Sequence, residues 1–179
     1  MLIRPASLAD AAAIREIYNL EVETSFATFD LVVRSLDEQR AWLAARSGAF
    51  AVLVAADGDD VIGFGSLSPY KERAAYRTSV EDSVYVRRDR HGQGVGRAVL
   101  TQLVTVARAS GFHTVIARIE AGGTASRALH AACGFELVGV EREVGRKFNR
   151  WLDVAVMQHL LGESPRGRTD PEAGSTVAG

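Results

Sequence analysis

The stretch that decides the fold is Val80-Glu81-Asp82-Ser83-Val84-Tyr85-Val86-Arg87-Arg88-Asp89-Arg90-His91-Gly92-Gln93-Gly94-Val95-Gly96-Arg97. Val80, Val84, Tyr85 and Val86 are β-formers, glycines follow at alternate positions from Gly92 to Gly96, and Ala98-Val99-Leu100 opens a segment with helical spacing. A strand, a glycine loop and a helix start are the parts of a pyrophosphate cradle. Glycines let the backbone turn tightly and approach a ligand, while the unpaired N–H groups and the positive dipole end of the helix face the same point. The expected ligand is an anionic phosphate. A plain strand-to-helix turn needs only one glycine, and three raise the entropy lost on folding.

On the N-terminal side, Leu2-Ile3-Arg4-Pro5 reads as an edge strand closed by proline. Ser7 with Asp10 makes a near capping box for a helix whose apolar face, Ala13, Ile14, Ile17, Tyr18 and Leu20, runs to about Glu21. Glu23 to Phe29 breaks that period as a loop, in which Phe29 faces either a substrate or the core. Ser35 and Glu38 start a second helix by the same box, reaching about Arg46 with Gly48 as its stop. Phe50–Ala56 and Val61–Leu67 form a hairpin across Asp57-Gly58-Asp59-Asp60. Pro69 ends it, and Tyr70 to Arg77 is a polar, aromatic-studded loop of the kind that carries recognition.

On the C-terminal side, Val99, Leu100, Leu103, Val104 and Ala107 line the core face of the helix that leaves the glycine loop, stopped by Gly111. A strand over Thr114–Ile119, a short helix over Ala125–Ala132, a turn into strand at Gly134 and a last strand from Phe148 to Leu160 complete the chain. Residues 162–179 are rich in Pro, Gly, Ser and charge and read as a disordered tail behind a single domain spanning 1–161.

At 179 residues and 47% apolar composition, one compact α/β domain has enough chain for a core. The formal net charge of −1 gives no general reason to bind nucleic acid or an anionic membrane. Cys133 is the single cysteine, so no intramolecular disulfide forms, and the four histidines show no metal-ligand spacing; no metal is expected. Arg4, Asp10, Arg15, Glu16, Glu21 and Glu23 interrupt the early apolar runs, so neither a signal sequence nor a membrane span is read there, and a cytoplasmic protein is expected.

The loop lacks the Gly-Lys-Ser/Thr of a Walker motif, and its mid-chain position and Gly-x-Gly-x-Gly spacing do not suit a Rossmann fingerprint. His91-Gly92-Gln93-Gly94-Val95-Gly96 instead resembles the acetyl-coenzyme A loop of the GCN5-related N-acetyltransferases, Gln/Arg-x-x-Gly-x-Gly/Ala, with His91 as the one departure. Three further stretches resemble the phosphinothricin and methionine sulfoximine N-acetyltransferase branch: Tyr76 to Val86, Ser126-Arg127-Ala128-Leu129-His130, and Val144 to Val154. Gly123 stands where that branch usually has asparagine.

The resemblance implies a mostly antiparallel twisted sheet, splayed at the acetyl-CoA site and flanked by about four helices. It implies acetyl-CoA as co-substrate, held by Val84, Tyr85, Val86, His91, Gly92, Gln93, Gly94, Val95, Gly96, Arg97 and Ser126, a small amino-acid-like amine as acceptor, and a homodimer built at Phe148 to Val154.

An amine attacks a thioester only when neutral, so a base is needed; Glu81, at the strand's start beside the recognition loop, is placed for it, unless it is a solvated strand-end charge. His130 is the candidate for the second proton, unless it packs on the sheet as a structural residue. The Val86 backbone N–H is the expected donor to the carbonyl oxygen. Lys71 and Arg73 face the acceptor's anionic groups or are solvated loop charges, with Tyr76 and Phe29 as aromatic walls and Val154 also lining the site. Competing readings keep the enzyme class with a polyamine, an aminoglycoside or a protein N-terminus as acceptor, or make the chain a silent acyl-CoA-binding module. Retention of Glu81 and His130 argues against the last.

Overall fold

The computed structural model describes residues 1–162; the expected tail therefore lies, from 163 onward, outside the described residues. Strands β1 (Leu2–Pro5), β2 (Val52–Asp57), β3 (Asp60–Pro69), β4 (Ser79–Val86), β5 (Thr114–Glu120), β6 (Glu136–Lys147) and β7 (Arg150–Leu160) form one sheet in the order β1-β2-β3-β4-β5-β7-β6. Helices α1 (Ala11–Thr24) and α2 (Leu36–Ala44) cover one face, and α3 (Val95–Ala109) and α4 (Thr124–Ala132) the other. None of these helices is long and apolar enough to cross a membrane.

Each face is sealed by a stripe that the periodicity dictates. Ile14, Ile17, Tyr18 and Val22 of α1 pack with Val54 and Phe64; Val99, Leu100, Leu103 and Ala107 of α3 pack with Leu67, Val80 and Val115. Gly65 lets α3 come close, because a Cβ there would lie 2.7 Å from both Leu103 and Val99. Both expected capping boxes form, Ser7 with Asp10 and Ser35 with Glu38. The second helix stops sooner than expected, at an Ala45 cap, and Gly48 serves a later turn.

Every neighbouring pair is antiparallel except β4 with β5, which run parallel. Their register holds only for Ser79↔Thr114, Val80↔Val115 and Glu81↔Ile116. Beyond that point β4 continues to Val86 and β5 to Glu120 without pairing, so the sheet opens into a fork. A strand edge normally demands partners for its N–H and C=O groups, and a fork inside a sheet leaves them for something else.

The last strand begins later than expected. Phe148 and Asn149, with φ of 46° and 59°, form the two-residue turn of a β6–β7 hairpin instead of entering the strand. Two positive φ values are what a tight hairpin turn needs, here without glycine. The long β6 itself carries Leu137, Val138, Val140 and Val144 exposed, so no buried face announces it in the sequence.

Candidate active site

At the loop, the three glycines serve different ends. Gly92 and Gly94 have φ of 74° and 81°, and a Cβ at either would meet nothing within 4 Å. Their need is conformational, and the space outside them is open. Gly96 is a packing glycine, with Leu129 of α4 3.1 Å from its would-be Cβ. No side chain caps α3 at Gly94, which leaves its first-turn N–H groups, through Arg97, directed at that open space.

Two expected contact residues have other partners. The His91 Nε2–H donates to the Val86 carbonyl at 2.9 Å, and Gln93 Nε2 donates to the Asp89 carbonyl at 3.1 Å, so both side chains stiffen the loop. Among the nearby cations, Arg87 pairs with Asp89, Arg88 with Glu21 and Arg90 with Asp57, whereas exposed Arg97 has no ion pair among the described residues. Val95 is buried beneath the loop.

In β4 alternation divides the work. Val80, Asp82, Val84 and Val86 face α3 and α4, while Glu81, Ser83 and Tyr85 face the α1 side, where Tyr85 packs on Phe64 and Tyr18 with ring centroids 5.2 Å and 5.1 Å away. The Tyr85 hydroxyl is pushed strongly up, foremost by burial, and stays neutral. The backbone alternates too: Arg87 N–H bonds the Ile62 carbonyl, so the N–H groups of Val84 and Val86 point the other way, into the fork.

Glu81 sits at the point where the strands part. It is half-buried, and its carboxyl is held above the usual range, first by burial; the Arg118 charge opposes this, and Asp82 and Glu141 add to it. Arg118 and Glu141, which form an ion pair at 2.6 Å, lie on the same face of the sheet by register. Val154, the Cα partner of both Glu120 and Glu141, shares that face and is buried.

His130 comes to β4 from the opposite face, 3% exposed, with Nε2 3.0 Å from Asp82 Oδ2 and Nδ1 2.7 Å from the Ser126 carbonyl. Glu81 and His130 are therefore not brought together. Ser126 is half-buried on the first turn of α4, behind Gly123; a side chain at 123 would press within 3.0 Å of the Glu120 carbonyl, which glycine avoids.

The residues expected to face an acceptor fall into two groups. Lys71, Arg73 and Tyr76 line a shallow pocket with Phe50, Pro69 and Ser79 at the start of β4, and the Lys71 ammonium lies 4.8 Å and 5.1 Å from the Tyr70 and Tyr76 ring centroids. Phe29, 38% exposed, lies instead on Gly145, where any Cβ would overlap its ring. No hydrogen bond or ion pair joins the two groups among the described residues.

Lys147 fixes the Phe29 loop. It is 2% exposed, and its Nζ donates to the Thr28 carbonyl at 2.8 Å and to the Glu21 carbonyl at 3.4 Å; burial lowers its pKa. Lys147→Met should lower stability by about 1–3 kcal/mol, the cost of a buried acceptor left unpaired. Denaturant unfolding of the two proteins measures it, and equal midpoints and slopes would remove Lys147 as a tether.

Sequence reasoning assigned no role to Asp82, Arg118, Glu141 or Lys147. One signal was present: Asp82 is the single charge among inward-facing Val80, Val84 and Val86, and a carboxylate on a core face needs a partner.

Residues 3–156 match the family described as the Acetyltransferase (GNAT) domain. The chain is 40% identical to an L-methionine sulfoximine/L-methionine sulfone acetyltransferase of Pseudomonas paraeruginosa, over 87% of this chain and 92% of that protein. Among solved structures it is 38% identical, with a TM-score of 0.87, to a GNAT superfamily phosphinothricin acetyltransferase of Sinorhizobium meliloti in complex with acetyl-CoA, over 98% of this chain and 95% of that one. A ribosomal-protein-alanine N-acetyltransferase of Brucella melitensis is 42% identical, with a TM-score of 0.87, over 89% of this chain and 99% of that one.

Proposed function

The chain belongs to the GNAT acetyltransferase family, and from that premise we propose that it moves the acetyl group of acetyl-CoA to the amino group of a small amino-acid-like acceptor of the phosphinothricin or methionine sulfoximine type. The observation that carries this is the β4–β5 fork, with unpaired N–H groups along one edge, a glycine cradle at its far end and Glu81 at its vertex.

The open space outside Gly92 and Gly94 fits a pyrophosphate, which the first-turn N–H groups of α3 and the Arg97 charge would hold. Val84 and Val86 would bind the pantetheine arm through their backbone, with Val86 N–H set toward the carbonyl oxygen. Ser126 would flank the arm from α4. Acetyl-CoA supplies an electrophilic thioester; the protein supplies position and proton transfer. Glu81, its carboxyl raised by burial, takes the ammonium proton of the acceptor, directly or through a water. Phe29 and Val154, on the Glu81 face of the sheet, would wall the acceptor, and Lys71, Arg73 and Tyr76 would reach its anionic groups from their own pocket at the start of β4.

Acetyl-CoA turnover, followed as free-thiol release with a panel of amino acids and analogues, tests the acceptor. Phosphinothricin or methionine sulfoximine should accelerate release well above the acceptor-free rate. The similarity to the Brucella chain favours a second reading, a protein N-terminus. A panel in which only a peptide beginning with alanine is acetylated would establish that reading and overturn the first.

The dimer is proposed on the exposed apolar edge of the β6–β7 hairpin, where Val138, Phe148 and Trp151 are 62%, 51% and 61% exposed. Light scattering at micromolar concentration should give twice the 19.2 kDa chain mass, and a monomer alone would reject it. A cytoplasmic location is proposed on the charges that break up the early apolar runs.

A further inference from the structure

We propose that Asp82 is a positioning residue that fixes His130 as a doubly protonated imidazolium, so that His130 stands behind the fork as a fixed cation and not as a base. The effect on catalysis rests on the acetyltransferase reading above; the state of the ring does not.

Donor counting carries it. The Ser126 carbonyl only accepts, so His130 Nδ1, at 2.7 Å, bears a hydrogen. A neutral imidazole has just one N–H, and Nε2 would then aim a lone pair at a carboxylate oxygen 3.0 Å away. The contact is attractive only if a second proton lies between them. The two side chains are 4% and 1% exposed, so water is poorly placed to substitute.

The surroundings put that proton on the ring. Burial disfavours the cation, but the Asp82 hydrogen bond and charge, aided by the Ser126 carbonyl, outweigh it and raise the His130 pKa. The other neighbours do not oppose this: Phe135 meets the ring edge-on at 5.0 Å, and His159 of β7 lies beyond Phe135 with its Nδ1 3.0 Å from the Cys133 carbonyl. Glu81 points to the opposite face. Asp82 Oδ1 is buried with no hydrogen-bond partner among the described residues, an expensive arrangement for a purely structural pair.

Place gives the pair its use. Asp82 is the first β4 residue beyond the last β4–β5 partner, so the imidazolium lies at the opening of the fork. The pair carries no net charge, and what it offers to negative charge developing on the carbonyl oxygen and the departing sulfur is the ring side, the fixed positive end of its dipole. With both nitrogens already protonated, His130 cannot accept the amine proton, which leaves Glu81.

Nitrogen-15 spectra of the histidine rings in the protein without ligands test this, with His130→Gln to assign the signals. At pH 7.5 both His130 nitrogens should show imidazolium shifts; a neutral ring in the wild type overturns the proposal without any variant having to fold. In Asp82→Asn the amide donates to Nε2, and the ring should become the neutral Nδ1–H form. Acetyl transfer supplies the second arm. From pH 6 to 8 the kcat of Asp82→Asn should fall relative to wild type by at least about tenfold, because without the Asp82 charge burial holds the ring's pKa down and its cationic fraction falls about tenfold per pH unit above that pKa. A loss equal at every pH overturns the catalytic role. A wild type that acetylates nothing while its ring is an imidazolium overturns the acetyltransferase reading and leaves the ring assignment standing.

Discussion

Glu81→Gln should lower kcat by about 10²–10⁴-fold, the usual worth of a positioned base, while acetyl-CoA affinity stays near the wild-type value. Glutamine keeps the size and one acceptor of the side chain and removes its ability to take a proton. The carboxylate stands at the vertex of the fork, half-buried, and burial lifts its pKa above the ordinary 4.5. The sign follows. Wild-type kcat should rise with pH through a limb above that value, as the carboxyl loses its proton, and the variant should lack the limb. Steady-state rates with the best acceptor across pH measure both. A Glu81→Gln enzyme with wild-type kcat would remove Glu81 from proton transfer and make water the base.

Gly94→Val should raise the acetyl-CoA dissociation constant by about 10²-fold or more. A branched residue at φ of 81° costs about 1–2 kcal/mol, and its side chain would also fill the open space that the ligand needs. Strain alone is separated from blocking by Gly111→Val. Gly111 has φ of 80°, open surroundings and a position at the other end of α3, so its replacement should cost stability and leave acetyl-CoA affinity intact. Calorimetric titration of both variants gives the comparison, and equal losses of affinity would show that the glycine loop is not the binding element.

What was legible in the sequence was local. The capping boxes at Ser7 and Ser35, the Asp57–Asp60 turn, the α3 stripe and the glycine loop each depend on residues within a few positions of one another, so spacing reports them. The sheet type and fork came from the resemblance, because which strands pair is a long-range matter. The β6 strand was legible only as a turn into strand, since Leu137, Val138, Val140 and Val144 face solvent and imitate no buried period. Phe148-Asn149 lacks the glycine that marks most tight hairpin turns, so the turn read as strand.

The candidate site could be read as a set of residues and not as an arrangement. Glu81 and His130 are expected on their chemistry, yet strand alternation turns Glu81 away from the face on which His130 meets Asp82. The same rule, applied to Val80, Asp82, Val84 and Val86, points to an inward carboxylate, but its partner lies 48 positions away and cannot be read from spacing. Lys147 was visible as part of a motif, while its seat beneath Thr28 depends on a contact 119 residues distant. Phe29, left between substrate and core, is seated on Gly145 with part of its ring exposed.

The central claim, that acetyl-CoA lies along the open edge of β4, is tested most directly by amide hydrogen exchange with and without the co-substrate. The N–H groups of Val84 and Val86 and those of the first turn of α3, 95–97, have no secondary-structure partner in the free protein and should exchange markedly more slowly when acetyl-CoA is bound. Unchanged exchange at all of these amides, in a protein saturated with acetyl-CoA and competent in transfer, would contradict it.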